Sequence, residues 1–120
     1  GLAGHALEMA RGAGLDVHID WSTVPLLEGV QALAQQGFIT GASGRNWAGY
    51  GAEVVLPEGF SSVDQALLSD PQTSGGLLVS CAPNALEAVM AVFAQHGFAH
   101  ASVVGSVAQK KGDKPVLRVV

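Results

Sequence analysis

The sequence predicts an α+β fold: a four-stranded mixed or antiparallel sheet with helices packed against it, in one domain spanning residues 1–120. Two observations carry that expectation. Apolar residues recur at helical spacing in some stretches and as short runs or alternations in others, with strand-like and helix-like segments interspersed. Two Val-rich runs close the chain, joined by the polar connection Gln109-Lys110-Lys111-Gly112-Asp113-Lys114, as in an antiparallel hairpin. A chain of 120 residues is long enough for a single core.

Residues 2–13 read as a helix. Leu2, Ala6, Met9 and Ala13, with Leu7 and Ala10 beside them, form its apolar face, and Gly12 and Gly14 supply the stop. His5 and Glu8 lie one turn apart. Two residues are too few for a metal site, so a partly buried histidine is the expectation. Residues 15–20 alternate apolar and polar, which suits a strand with Asp16, His18 and Asp20 on a solvated face. Ser22, Thr23 and Pro25 then read as the start of a second helix, with a stripe of Leu26, Leu27, Val30, Leu33 and Ala34 and an end at Gly37.

From Ile39 to about Phe60 no period holds, and the expectation is a long glycine-rich loop. Loops of that length tend to be functional or docked on a partner. Arg45 is suited to a bidentate contact with phosphate or carboxylate, or is a surface charge. Trp47 and Tyr50 either pack against another surface or plug the core.

Ser62-x-x-Gln65 has capping-box spacing and opens a short helix through Leu68. Leu77-Leu78-Val79-Ser80-Cys81 reads as a central strand buried on both faces, with Cys81 an inert core thiol. Asn84-x-x-Glu87 gives another cap, for a helix carrying Leu86, Val89, Met90 and Phe93 on one face and stopping at Gly97. Residues 102–108 and 115–120 are the hairpin strands, and the three lysines between them form a solvated turn that discourages edge pairing.

Composition narrows the function classes. Hydrophobic residues make up 48% and charged residues 13%, with a net charge of −4. So low a charge suggests that part of the surface is covered by another domain or subunit, and the absence of a basic stripe argues against nucleic acid. No apolar run reaches membrane-spanning length and no signal-peptide pattern is present. A single cysteine excludes an internal disulfide framework and fits a reducing, cytoplasmic setting. The chain starts at Gly1 without a Met and reads as a piece of a longer protein.

The most informative stretch lies between the third helix and the strand expected after it. Asp70 precedes Pro71, which disfavours helical geometry at Asp70. Thr73, Ser74, Gly75 and Gly76 follow, and such a turn presents hydroxyls and successive N–H groups as an anion-binding nest does. A plain helix-to-strand turn is the simpler account. No Ser/His/Asp or Cys/His arrangement, Walker loop or cysteine pair for zinc accompanies it. The residues alone describe a domain with two Gly-rich loops and the capacity to bind an anion.

The wording of these segments adds a resemblance. The run Asp70-Pro71-Gln72-Thr73-Ser74-Gly75-Gly76-Leu77-Leu78 resembles one in the second domain of selenophosphate synthetases (selenide, water dikinases). Gly1-Leu2-Ala3-Gly4-His5-Ala6-Leu7-Glu8-Met9 is similar to the segment that opens that domain. Gly44-Arg45-Asn46, with Tyr50-Gly51, is similar to a third. Ala3 stands where the family often has Leu, and Trp47 where it often has Phe.

The resemblance implies the C-terminal domain of such an enzyme, with a fold like that of the aminoimidazole ribonucleotide synthetase C-terminal domain. It implies a parent that converts ATP, selenide and water to selenophosphate, AMP and phosphate with magnesium. It further implies a homodimer whose N-terminal domain carries the nucleophile and most magnesium ligands, so that Cys81 is not the nucleophile and the isolated chain is inactive. Arg45, Asn46, Asp70, Thr73, Ser74, Gly75 and Gly76 would then line a nucleotide or phosphate cleft. Two other readings stay open: a sibling ATP-dependent enzyme of the same superfamily, and a non-enzymatic module docking through Trp47 and Tyr50.

Overall fold

The computed structural model describes residues 1–120. Its helices are α1 (Leu2–Ala13), α2 (Val30–Gln35), α3 (Gly41–Tyr50), α4 (Ser62–Leu68) and α5 (Leu86–Gln95). Its strands are β1 (Leu15–Ile19), β2 (Val54–Val55), β3 (Gly105–Gln109) and β4 (Leu117–Val119). Single 3₁₀ turns lie at Trp21–Thr23, Gly51–Glu53 and Pro83–Ala85. The sheet runs in the order β2-β4-β1-β3 and is mixed: β1 pairs antiparallel with β3 and parallel with β4, which pairs parallel with β2. The α+β class and the number of strands agree with the sequence reading.

α1 ends at Gly14, whose φ of 67° is the left-handed cap geometry that glycine adopts without steric cost. Its buried face is Ala3, Ala6, Leu7 and Ala10, rotated from the stripe centred on Leu2, Ala6, Met9 and Ala13. Three of those four side chains are methyl groups, so the helix backbone seats close to the sheet. Val17 and Ile19 of β1, Leu117 and Val119 of β4, Val54 of β2 and Leu68 of α4 complete the core. His5 is exposed and pairs with Glu8 through Nδ1, 3.1 Å from Oε2, rather than being partly buried.

β1 departs from its expected amphipathic pattern at Asp16. The side chain is fully buried, not solvated, and accepts hydrogen bonds from the N–H groups of Val116 at 3.0 Å and Lys111 at 3.3 Å. Burial pushes its pKa up, but these two N–H groups, with the charges of Arg118 and His18, outweigh burial and leave it lowered. The same contacts explain why the terminal hairpin does not form. β3 and β4 flank β1 instead of pairing, and Asp16 holds the connection between them as it passes the start of β1. At the other end, a side chain at Gly105 would run into the His18 carbonyl, so β3 lies against β1 only because that residue has none.

Four further expectations are corrected. The second helix begins at Val30, not near Pro25. Asp20 caps the 3₁₀ turn Trp21–Thr23, an irregular stretch follows, and Gly29 at φ 79° precedes α2, of which only Ala34 is buried. The long loop contains α3, a ten-residue helix, and β2. The cap of α4 is Ser61, whose Oγ accepts from Asp64 N at 3.0 Å, one position before the expected box. α5 carries no side-chain cap, so Asn84 does not serve as one, and the 3₁₀ turn with Pro83 leads into it instead.

The largest correction concerns Leu77–Cys81. The segment pairs with no strand, Leu77 is 83% exposed and Cys81 is exposed, so it is neither central nor doubly buried. The fourth strand of the sheet is β2, formed by Val54 and Val55. Its place follows from α3: Trp47 and Tyr50 pack against the core, plugging it rather than facing outward, and the chain leaving them runs alongside β4.

Candidate functional site

The site is built at the start of α3. Three glycines in ten residues disfavour a helix by about 1 kcal/mol each relative to alanine. Tertiary contacts outweigh that. Thr40 caps the helix, its Oγ1 accepting from Ser43 N at 3.3 Å. Trp47 presses so closely on Gly51 that a Cβ there would approach the indole to 2.6 Å.

This cap faces Asp70. Thr40 Oγ1 and Ser43 Oγ donate to Asp70 Oδ1 at 3.2 and 3.3 Å, and Ser43 is buried. A carboxylate at a helix N-terminus also meets the positive end of the helix dipole. One turn further along α3, Asn46 Nδ2 donates to the Ser69 carbonyl at 2.9 Å. Ser69 is itself fully buried, and its hydroxyl donates to Gln65 O at 2.8 Å. Gly1 closes the arrangement: a Cβ there would lie 2.6 Å from the Asp70 carbonyl oxygen. Three segments far apart in sequence, around Gly1, Asn46 and Asp70, thus meet at one point. Ile39, Ser43, Trp47, Gln65 and Ser69 line a cavity of about 180 Å³ beside it, between α3 and α4.

Beyond this frame the loop projects outward. Thr73, Ser74, Gly75 and Gly76 are all exposed, and neither the Thr73 nor the Ser74 hydroxyl is bonded to another group of the chain. Ser74 has φ 55°, the only non-glycine residue in the left-handed region, so the turn at Thr73–Ser74 holds a conformation that costs energy. Arg45 is exposed on α3 and forms no ion pair or hydrogen bond. Of the expected site residues, Asn46 and Asp70 are therefore brought together, and each is engaged in holding the base of the loop. Thr40, Ser43 and Ser69 belong to the same frame and escape a sequence reading that sees only a loop there. Their signal was the cap spacing Thr40-x-x-Ser43. No three His, Cys, Asp or Glu side chains converge as a metal site would require.

The family "AIR synthase related protein, C-terminal domain" matches residues 1–118. The chain belongs to that family. Its relatives include proteins named selenide, water dikinase: one from Pseudomonas straminea is 58% identical over 105 residues, covering 88% of this chain and 29% of the relative. Another from Burkholderia pseudomallei is 55% identical over 107 residues, covering 89% and 30%. A third from Rhizobium meliloti is 51% identical over 108 residues, covering 90% and 31%. The chain spans under a third of the length of these relatives. No helix is long and apolar enough to cross a membrane.

Proposed function

We propose that this chain is the C-terminal domain of an ATP-dependent selenophosphate synthase, a cytoplasmic enzyme that converts ATP, selenide and water to selenophosphate, AMP and phosphate. The observation that carries this reading is the meeting of Gly1, Asn46 and Asp70. The three segments whose wording matches selenophosphate synthetases are the three that pack together, and they place the Thr73–Gly76 loop at the surface. The name borne by relatives more than 50% identical supports it.

In this reading the parent is a homodimer, and the domain works against its own N-terminal domain, with no nucleic acid or membrane partner. Phosphoryl transfer is largely a matter of positioning and charge neutralisation. The unbonded Thr73 and Ser74 hydroxyls, the backbone at Gly75 and Gly76 and the unpaired guanidinium of Arg45 suit the approach of a phosphate. Asp70 and Asn46 keep the loop's base fixed. Magnesium, which would neutralise the phosphates when bound, does not fit this chain's own carboxylates and would be held elsewhere in the parent. The chain alone is then inactive.

Phosphorus NMR of the intact parent with ATP, magnesium and selenide tests this, with the 120-residue chain as control. Selenophosphate and AMP from the parent, and neither from the chain, are the expected result. ADP without selenophosphate would indicate a sibling ATP-dependent enzyme, a reading that the breadth of the matching family also accommodates. A well-folded parent without turnover would leave a non-enzymatic interaction module.

A further inference from the structure

Charge is unevenly placed in this chain. Five of its six Lys and Arg residues, Arg11, Lys110, Lys111, Lys114 and Arg118, gather at one end of the sheet. Arg11 lies in the last turn of α1. The connection that carries the lysines passes the start of β1, where the Lys111 N–H donates to Asp16, and Arg118 Nε lies 3.8 Å from Asp16 Oδ2. Lys114 reaches the same end. The Glu53 carboxyl has its pKa lowered first by the hydrogen bond from Arg11, then by the charges of Arg11 and Lys114. Only three acids, Asp16, Glu53 and Asp113, stand among these cations, so the end is net positive on a chain whose net charge is −4. Lys111 and Lys114 are exposed with unpaired ammonium groups, and Lys110 binds only the Asp113 carbonyl, at 2.9 Å.

Beside these lysines the sheet carries unmet polar groups. Directly paired residues share a face, so Asp16 and His18 of β1, Ser106 of β3 and Arg118 of β4 lie opposite the Val17 and Ile19 face that α1 covers. His18 stands between Arg118 and Ser106. Its Nε2 and the Arg118 Nε are both shielded from solvent, and neither has a hydrogen-bond partner. Asp16 Oδ2 is within ion-pair range of Arg118 but too distant for a hydrogen bond. Buried donors are seldom left unmatched, because they give up water for nothing in return. Neighbouring strands lie about 5 Å apart, so the two oxygens of one carboxylate can serve Arg118 and the Nε2–H tautomer of His18 together. The Arg118 side chain is 34% exposed, which leaves its guanidinium an approach from solvent. α1, about 18 Å long, separates this end from Gly1 and Asp70, so the surface lies away from the Thr73–Gly76 loop.

We propose that this end of the sheet docks an acidic segment of a partner protein. One carboxylate of the segment is held by Arg118 and His18, and its neighbours meet the Lys110–Lys114 connection. Charge complementarity selects the partner. Asp16, Glu53 and Asp113, interspersed among the cations, would repel a continuous phosphate backbone, whereas a polypeptide can place its carboxylates between them. Arg118 supplies the planar fork that a carboxylate fits, and the lysines supply attraction at longer range. This inference goes beyond the proposed function and stands whatever reaction the parent performs.

Fluorescence anisotropy of a labelled decaglutamate peptide titrated with the intact parent tests it. A labelled single-stranded DNA of equal charge is titrated alongside. The peptide is expected to bind, to weaken as salt rises to about 0.15 M, and to bind more tightly than the DNA. Reversing two exposed charges, Lys111→Glu with Lys114→Glu, lowers peptide affinity by about tenfold or more. Arg118→Lys keeps the charge but removes the Nε donor, and lowers affinity by about threefold or more. Thermal midpoints close to that of the unsubstituted parent report that the variants are folded. Absent peptide binding, or affinity unchanged by the lysine reversals, would overturn the proposal. Affinity unchanged by Arg118→Lys would overturn the carboxylate position between Arg118 and His18. DNA binding as tight as that of the peptide would overturn the choice of partner in favour of nucleic acid.

Discussion

Leu15–Ile19 and Leu77–Cys81 are segments of equal length, and the second is the more apolar, yet only the first is a strand. β1 is paired on both sides, by β3 and β4, and places Val17 and Ile19 under α1. Leu77–Cys81 pairs with nothing and exposes Leu77 almost completely. The difference does not lie in intrinsic preference, because strand propensity largely measures fit to neighbours on a half-buried surface. β1 gains those neighbours through Gly14, which turns α1 back onto it, and through Asp16, which fixes the connection leading into β4. Leu77–Cys81 follows a loop that is tied down only at its base.

Removing core volume beneath β1 gives the largest effect that this contrast predicts. Leu7→Ala opens a cavity at a fully buried position and lowers stability by about 2–5 kcal/mol, read from denaturant unfolding. Gly105→Ala comes next. Its new methyl meets the His18 carbonyl, so β3 must move away from β1, at a cost of about 1–3 kcal/mol in the same measurement.

Asp16 makes the contrast depend on pH. Its folded pKa is lowered, so its contribution is fully present above the unfolded carboxylate value of about 4 and is lost as pH falls through the folded value. Asp16→Asn removes that dependence and leaves one N–H of Lys111 or Val116 facing an amide donor. Melting curves from neutral to acid pH will show a lower midpoint at pH 7 and a shallower acid limb than in the unsubstituted chain. The smallest effect belongs to the other segment. Leu77→Ala moves the global midpoint by no more than about 0.5 kcal/mol, because an exposed segment is released before the sheet unfolds.

The same contrast shows what was legible in the chain. α1 was readable because its spacing and its Gly14 stop agree with its tertiary role. α3 was not, because Gly41, Gly44 and Gly49 hide a helix that Thr40, Ser43, Asn46 and Trp47 hold through long-range contacts. β2 is only two residues long and has no pattern to read. The hairpin failed for a reason that no local pattern contains, since β1 occupies the place between its two strands. Asp70 and Asn46 were picked out by the wording of their segments, but their contacts with Thr40, Ser43 and Ser69 depend on the fold.

Under the proposed function the site divides into a frame that holds, made of Thr40, Ser43, Asn46 and Asp70, and an exposed loop, Thr73–Gly76, proposed to act on phosphate. The most direct test is selenophosphate formation by the intact parent carrying Gly75→Val, measured beside its thermal midpoint. At Gly75 a Cβ would meet only Gln72, its side chain from 3.0 Å and its carbonyl oxygen at an ordinary 3.8 Å, so an exposed loop can accommodate the change by a small shift of Gln72. Turnover is expected to fall sharply while the midpoint stays within a few degrees of that of the unsubstituted protein. Unchanged turnover at an unchanged midpoint would contradict it and make the loop no more than a connection between α4 and α5.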